Sequence, residues 1–261
     1  MVNHLAKRIF WQWVAAWIFY TRIPLPFWDR CPLDFAGIAR WLPLVGVLIG
    51  GILMLADNLL RLMAPDWVRA ALEVYLWAAI TGGLHLDGVA DVGDGLAVSG
   101  QAGIQERLAV MADSRIGAYG ALALILVLGL KGATLASLPA QQGWVLLLTP
   151  AWGRWGQLLA IGSYPYLKPQ GQGRFLKEST HFPQDLWPMT LGLFLMIAGW
   201  IGLTPANWLW VSVWNLLSAI IASGVGYGWY RQLGGHTGDS YGATVEWTEA
   251  WVLVLATLHW F

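Results

Sequence analysis

Apolar runs recur seven times along the chain, near residues 41–56, 70–83, 117–138, 144–161, 188–203, 207–229 and 243–261, with polar or glycine-rich stretches between them. A helix crossing a bilayer needs roughly 20 predominantly apolar residues, because hydrocarbon offers no partner to an unpaired backbone N–H or C=O. The runs approach that length, and the first two fall short of it. Charged residues make up 11% of the chain, against about a quarter in an ordinary soluble domain. So few charges cannot cover the surface of a soluble globule of 261 residues. The expected fold is all-α: a polytopic membrane protein of about seven transmembrane helices in a single domain over 1–261. Residues 1–40 form an N-terminal interfacial region, and 41–261 form the bundle that carries the active-site loops.

The nineteen tryptophans agree with a lipid environment. Trp41, Trp67, Trp144, Trp187, Trp208, Trp229 and Trp260 stand at the ends of apolar runs, where an indole meets hydrocarbon and water together. Net charge is zero, which gives nucleic acid no electrostatic footprint. Cys31 is the one cysteine, so an internal disulfide and a cysteine-built metal site are both excluded.

Residues 5–20 (LAKRIFWQWVAAWIFY) are apolar and aromatic, and TRIPLP follows in place of a small-residue cleavage site. The expectation is a helix lying in the interface or a partly inserted anchor. With seven spans, one side of the membrane receives Lys7, Arg8, Arg22, Arg30, Arg40, Arg107, Arg115, Lys168, Arg174, Lys177 and Arg231. The other side receives Arg61 and Arg69, while Lys131 and Arg154 fall within spans. The positive-inside bias puts the first set, with the N-terminus, in the cytoplasm.

That side also holds the unusual sequence. In GGLHLDGVADVGDGL (82–96), Asp87, Asp91 and Asp94 stand at i, i+4 and i+7, one face of a helix. Carboxylates crowded on one face repel unless a cation lies between them. Oxygen-only ligands suit Mg²⁺, Mn²⁺ or Ca²⁺, and Mg²⁺ commonly bridges carboxylates and a substrate phosphate. The five glycines of the block would let a ligand approach the backbone. His85 has no second histidine nearby, which points to a phosphate or substrate contact over zinc. In MADSRIGAYG (111–120), Asp113 and Ser114 precede Arg115, the side chain best shaped to clamp phosphate. In GGHTGDSYGATVEWTEA (234–250), His236, Thr237, Asp239 and Ser240 sit among four glycines, and Glu246 and Glu249 follow inside an apolar run. Ionisable groups there face a cavity or a partner, Arg154 or Lys131. Arg22 of TRIPLP could hold a phosphate or a lipid headgroup. The basic 168–177 loop (KPQGQGRFLK) is expected first at the membrane surface and second at an anionic substrate.

Over nearly its whole length, the order and spacing of TRIPLP, GGLHLDGVADVGDG, MADSRIGAYG and GGHTGDSYGATVE resemble the cobalamin synthase family, the adenosylcobinamide-GDP ribazoletransferases. The resemblance implies a bacterial inner-membrane transferase that joins adenosylcobinamide-GDP to α-ribazole or its 5′-phosphate, releases GMP and needs Mg²⁺. On that reading Asp87, Asp91, Asp94 and Asp113 are the candidate metal ligands, Asp87, Asp94 and Asp113 are the candidate catalytic residues, and Asp94 or Asp113 could take the hydroxyl proton. Arg22, His85, Ser114, Arg115, His236, Thr237, Asp239 and Glu246 are the candidate substrate contacts. A homo-oligomer is compatible with the sequence and is not fixed by it. A CDP-alcohol phosphotransferase also sets spaced aspartates at a membrane face, but here Asp91 stands where that pattern has arginine. A secondary transporter would account for Arg154, Glu246 and Glu249, yet no inverted repeat is visible.

The cation asymmetry yields a first prediction. In a Cys31→Ser background, a cysteine at Gln101 should resist a membrane-impermeant thiol reagent in intact cells and react after permeabilisation. Labelling of intact cells would reverse the orientation.

Overall fold

The computed structural model describes residues 2–26, 32–98, 103–203 and 205–258. Arg30, Cys31, Gln101 and Trp260, which entered the sequence argument, lie outside the described residues. Eleven α-helices are described: α1 (Val2–Tyr20), α2 (Leu42–Leu60), α3 (Asp66–Thr81), α4 (Leu84–Ala97), α5 (Ile104–Val110), α6 (Ala118–Ser137), α7 (Gly143–Ser163), α8 (Gln172–Ser179), α9 (Leu186–Leu203), α10 (Trp208–Leu233) and α11 (Gly238–Thr257). An isolated parallel bridge pairs Tyr166 with His236, and no strand forms among the described residues.

Among the described residues, four helical segments are long and apolar enough to cross a membrane: Ile38–Leu60, Ala118–Ser137, Leu186–Leu203 and Trp208–Leu233. They fall on four of the seven runs. The other three runs became α3, α7 and α11. At 16 residues, α3 is short for a span. Nearly every residue of α7 and most of α11 are buried by protein. These two form the centre of the bundle, which is why they carry polar side chains that a lipid-facing helix could not.

Close backbone contact builds that centre. Gly46 and Gly50, one turn apart on α2, lie against α7, and a Cβ on either would collide with the backbone around Leu147 and Pro150. Small residues at this spacing let helices approach in lipid, where packing has to do the work of the hydrophobic effect. The tryptophans divide between two tasks. Trp67, Trp187 and Trp208 are exposed at helix ends, as an aromatic belt requires. Trp144, expected in that belt, is buried against Trp214 in an edge-to-face contact at 4.9 Å. The N-terminal helix is more than a surface anchor, for Val14, Ala15, Ala16, Trp17 and Tyr20 enter the core.

The intramembrane charges find one another. Lys131 of α6 donates to both Glu246 and Glu249 of α11, at 2.6 Å each, and Arg154 of α7 donates to Glu249 at 2.7 Å. All four side chains are buried. Two cations against two carboxylates leave no net charge, so the cluster pins α6, α7 and α11 together. At the opposite end of the bundle from the glycine-rich loops, Arg69 of α3 pairs with Asp57 of α2 and Glu73, and Arg61 pairs with Asp57. The only two cations assigned to that side are therefore neutralised by local acids.

Removing one member of the central cluster should strand a buried charge. Arg154→Met alone should cost about 3–5 kcal/mol and cut the yield of monodisperse protein. Arg154→Met with Glu249→Met keeps the neutral Lys131–Glu246 pair and should recover most of the thermal stability. A double variant no more stable than the single one counts against the cluster as the clamp.

Candidate active site

The glycine pair between α3 and α4 turns the chain sharply. Gly82 and Gly83 take φ of 63° and 69°, a region that suits glycine because it has no Cβ. Arg22 packs so tightly on Gly82 that a side chain there would meet its guanidinium arm. Beyond the turn the aspartate block is helical, as its spacing allowed. Its glycines, expected to admit a ligand, instead admit neighbouring helices. Gly88 lies against the Asp239 carbonyl of α11, and Gly93 against Tyr119 and Gly120 of α6. From the other side, Gly242 of α11 faces the backbone of His85. These contacts bring the aspartate block and the GGHTGDSYG block together, though 150 residues separate them.

The aspartates then diverge in what they do. Asp94 accepts backbone N–H groups from Gly117 at 2.7 Å and Gly120 at 2.8 Å, closing the open first turn of α6 much as a capping side chain would. Asp113 grips the exposed Arg115 through both oxygens, with 2.6 Å to Nη2. That hydrogen bonding holds the Asp113 carboxyl down at about 2. Asp239 takes Lys168 at 2.8 Å. Asp87 and Asp91 make no side-chain hydrogen bond or ion pair among the described residues. Burial, then the carboxylates of Asp239, Asp87 and Asp94, push the Asp91 carboxyl up to about 7, with Lys168 pulling it the other way.

Among the described residues, three cavities border α4, one of them lined by Asp94, Asp113 and Arg115, and the other two share Asp87. One of these two, of about 500 Å³, is lined by Arg22, Gly82, Gly83, Asp87, Asp91, Ser114 and Arg115. The other, of about 270 Å³, reaches inward past His85, Lys168 and Asp239. The structure thus brings together Arg22, Asp87, Asp91, Ser114 and Arg115 around one opening, and His85, Asp87 and Asp239 around the second. The 168–173 segment, read first as a membrane-surface loop, lies along the second cavity with Gln170, Gly171, Gln172 and Gly173 in its lining.

Three residues from the third block lie elsewhere. His236 is fully buried, with Nδ1 3.0 Å from Ser240 Oγ and Nε2 3.1 Å from the Gly226 carbonyl, between the rings of Tyr164 and Tyr241. The carbonyl can only accept, so Nε2 carries the proton, and burial lowers the imidazole to about 4, keeping it neutral. Thr237 caps α11 in a reciprocal box with Ser240. Glu246 belongs to the Lys131 cluster. Sequence alone could not tell these local anchors from ligand contacts, since both call for small polar residues beside glycine. Three lining residues went unmarked in the sequence: Tyr20, Gln157 and Tyr241, which sit within apolar runs or beside glycines and carry no charge to draw notice.

The chain matches the family described as cobalamin-5-phosphate synthase over residues 12–257. It belongs to that family. A protein of Thermosynechococcus vestitus named adenosylcobinamide-GDP ribazoletransferase is 46% identical over 97% of this chain and 98% of its own length. Relatives of the same name from Synechocystis sp. and Brevibacillus brevis are 45% and 33% identical, over 92% and 93% of this chain and 92% and 96% of their own lengths. No solved structure matches.

The contrast between Asp94 and Asp87 can be measured. Asp94→Ala should lower the thermal midpoint, as loss of a helix-capping acceptor costs about 1–2 kcal/mol. Asp87→Ala should leave the midpoint unchanged or slightly higher, because it removes only like-charge repulsion. Equal destabilisation by both would mean Asp87 also has a structural partner.

Proposed function

We propose that this protein catalyses the transfer named for its relatives, joining adenosylcobinamide-GDP to α-ribazole or its 5′-phosphate with release of GMP. The observation that carries the reading is the placement of Asp87 and Asp91, two unpaired carboxylates one helical turn apart, facing Arg22, Ser114 and Arg115 across one opening. A diphosphate brings several negative charges, and the arginines supply matching donors. A hydroxyl of the acceptor ribose attacks the phosphorus attached to cobinamide. The new P–O bond forms as the P–O bond to the GMP phosphate breaks, and the hydroxyl proton passes to a carboxylate. Asp87 is the carboxylate we assign to that proton, because it alone among the aspartates borders two of the cavities. Arg115 and Arg22 orient the diphosphate and offset the charge gathering on the departing phosphate.

A divalent cation fits the donors present. No group of three or more Asp, Glu, His or Cys side chains converges on one point among the described residues, but Mg²⁺ is commonly held by one or two carboxylates with water and substrate phosphate. Asp87 and Asp91 are the residues that would hold it, and the raised proton affinity of Asp91 marks a place where positive charge is wanted. When bound, the cation would supply further positive charge to the diphosphate. Asp94, which accepts from the α6 backbone, and Asp113, which accepts from Arg115, are assigned to positioning α6 and Arg115. We place the site on the cytoplasmic face of the bacterial inner membrane, on the strength of the cation asymmetry.

Asp87→Asn and Asp91→Asn should fold and insert normally, yet lower kcat for GMP release at least 100-fold with little change in the KM of the activated cobinamide, since the lost charge acts chiefly in the transition state. Chelation should abolish turnover, and Mg²⁺ should restore it. Glu106→Gln, on exposed α5, is the control. Asp185 is unsuitable as a control, for it is buried and pairs with Arg40 at 3.3 Å. Wild-type turnover by Asp87→Asn would remove the acidic block from the mechanism.

A further inference from the structure

The inner cavity has a floor that the phosphate chemistry does not use. Tyr20 of α1, His85 of α4, Gln157 of α7 and Tyr241 of α11 meet there, each at most 4% exposed. The Tyr20 hydroxyl, both ring nitrogens of His85, Oε1 of Gln157 and the Tyr241 hydroxyl have no hydrogen-bond partner among the described residues. Buried polar groups are nearly always paired in folded proteins, and leaving one unmade is costly. Four such side chains on four different helices, all in the lining of one cavity of about 270 Å³, mark a place built to be filled.

The chemistry of the floor narrows what fills it. Two phenols and an amide are uncharged. The His85 imidazole is buried with them. Such a floor rewards hydroxyls and ring nitrogens, and the one lysine of the cavity lining, Lys168, is already paired with Asp239. The walls include the rings of Phe19, Tyr166 and Tyr241, a fit for a flat heteroaromatic. The arginines stand around the other cavity, on the far side of Asp87.

We propose that the inner cavity seats the ribose and base of the acceptor nucleoside, with Tyr20, His85, Gln157 and Tyr241 as its hydrogen-bonding floor, and that Asp87 stands where this nucleoside meets the diphosphate. The assignment rests on the transfer reaction proposed above and adds the specificity-determining residues for its acceptor. The cyclic hydroxyls and base of the nucleoside satisfy the four orphaned groups. The leaving nucleotide is tied through its phosphate to the arginine side and stays outside this cavity.

The test is equilibrium binding of radiolabelled α-ribazole to purified protein in detergent, without the activated cobinamide. Wild type should bind it, and unlabelled GMP should not displace it. Gln157→Leu should weaken binding about tenfold, the loss expected when a buried donor or acceptor goes unpaired. Tyr241→Phe keeps the ring stacked on His236 and should weaken binding to a similar or smaller degree, which guards against a Gln157 variant that fails to fold. In turnover, both variants should raise the KM for α-ribazole and leave the KM for the activated cobinamide alone. Absence of nucleoside binding by wild type, displacement by GMP, or unchanged binding in both variants overturns the proposal; the last would mean that water alone fills the cavity. Binding that depends on these residues, in a protein that releases no GMP from both substrates, keeps the cavity and removes the reaction.

Discussion

The centre of the molecule is held by four opposite charges buried where neither water nor lipid can solvate them. Glu249 bridges Lys131 and Arg154, and Glu246 shares Lys131. An isolated charge at this depth would be prohibitively costly, whereas a balanced set with short hydrogen bonds tolerates burial and makes separation of its helices expensive. α6, α7 and α11 are therefore fixed in register. Their site-facing ends carry the Asp94-capped turn, Gln157, and the Asp239–Tyr241 segment. The positions of those three segments follow from that one cluster. It also accounts for the polar residues that made a transporter worth weighing: they neutralise each other.

Glycine is the second constraint. A helix with five glycines in and before it would be a poor helix by propensity. α4 survives because those glycines allow it to sit against α11 and α6 at backbone contact. The same closeness sets Asp91 near Asp239 and concentrates negative charge, which nothing on α4 itself offsets. The molecule thus spends packing energy to hold carboxylates nearer than they would choose. That arrangement suits the proposed transfer, in which a bound cation would balance the charge.

Across α4 the site separates into an arginine side and an inner cavity with a floor of uncharged phenols and amide beside the His85 imidazole. Arg22 and Arg115 suit phosphate, while the floor suits hydroxyls and ring atoms. Asp87 lies on the boundary. Two substrates of unlike polarity can then approach one carboxylate from opposite sides without competing for the same donors.

By itself the sequence determined the membrane character, the all-helical architecture, the order of the polar blocks and the family, because these depend on apolar run length, charge content and local motif spacing. It also pointed to Asp87 and Asp91, since two acids a turn apart must share a helical face. It could not rank the acids or the polar residues beside glycine. Asp94 and Asp87 look alike in GGLHLDGVADVGDG, yet one is consumed by the backbone of α6 and the other is left open. His236 and Thr237 look like ligand contacts and serve as a buried anchor and a helix cap. Tyr20, Gln157 and Tyr241 lie far apart in the chain, and only the tertiary structure brings them to one cavity. Which polar group is spent on folding and which is left for a ligand depends on what the fold places opposite it, and that neighbour is rarely a neighbour in sequence.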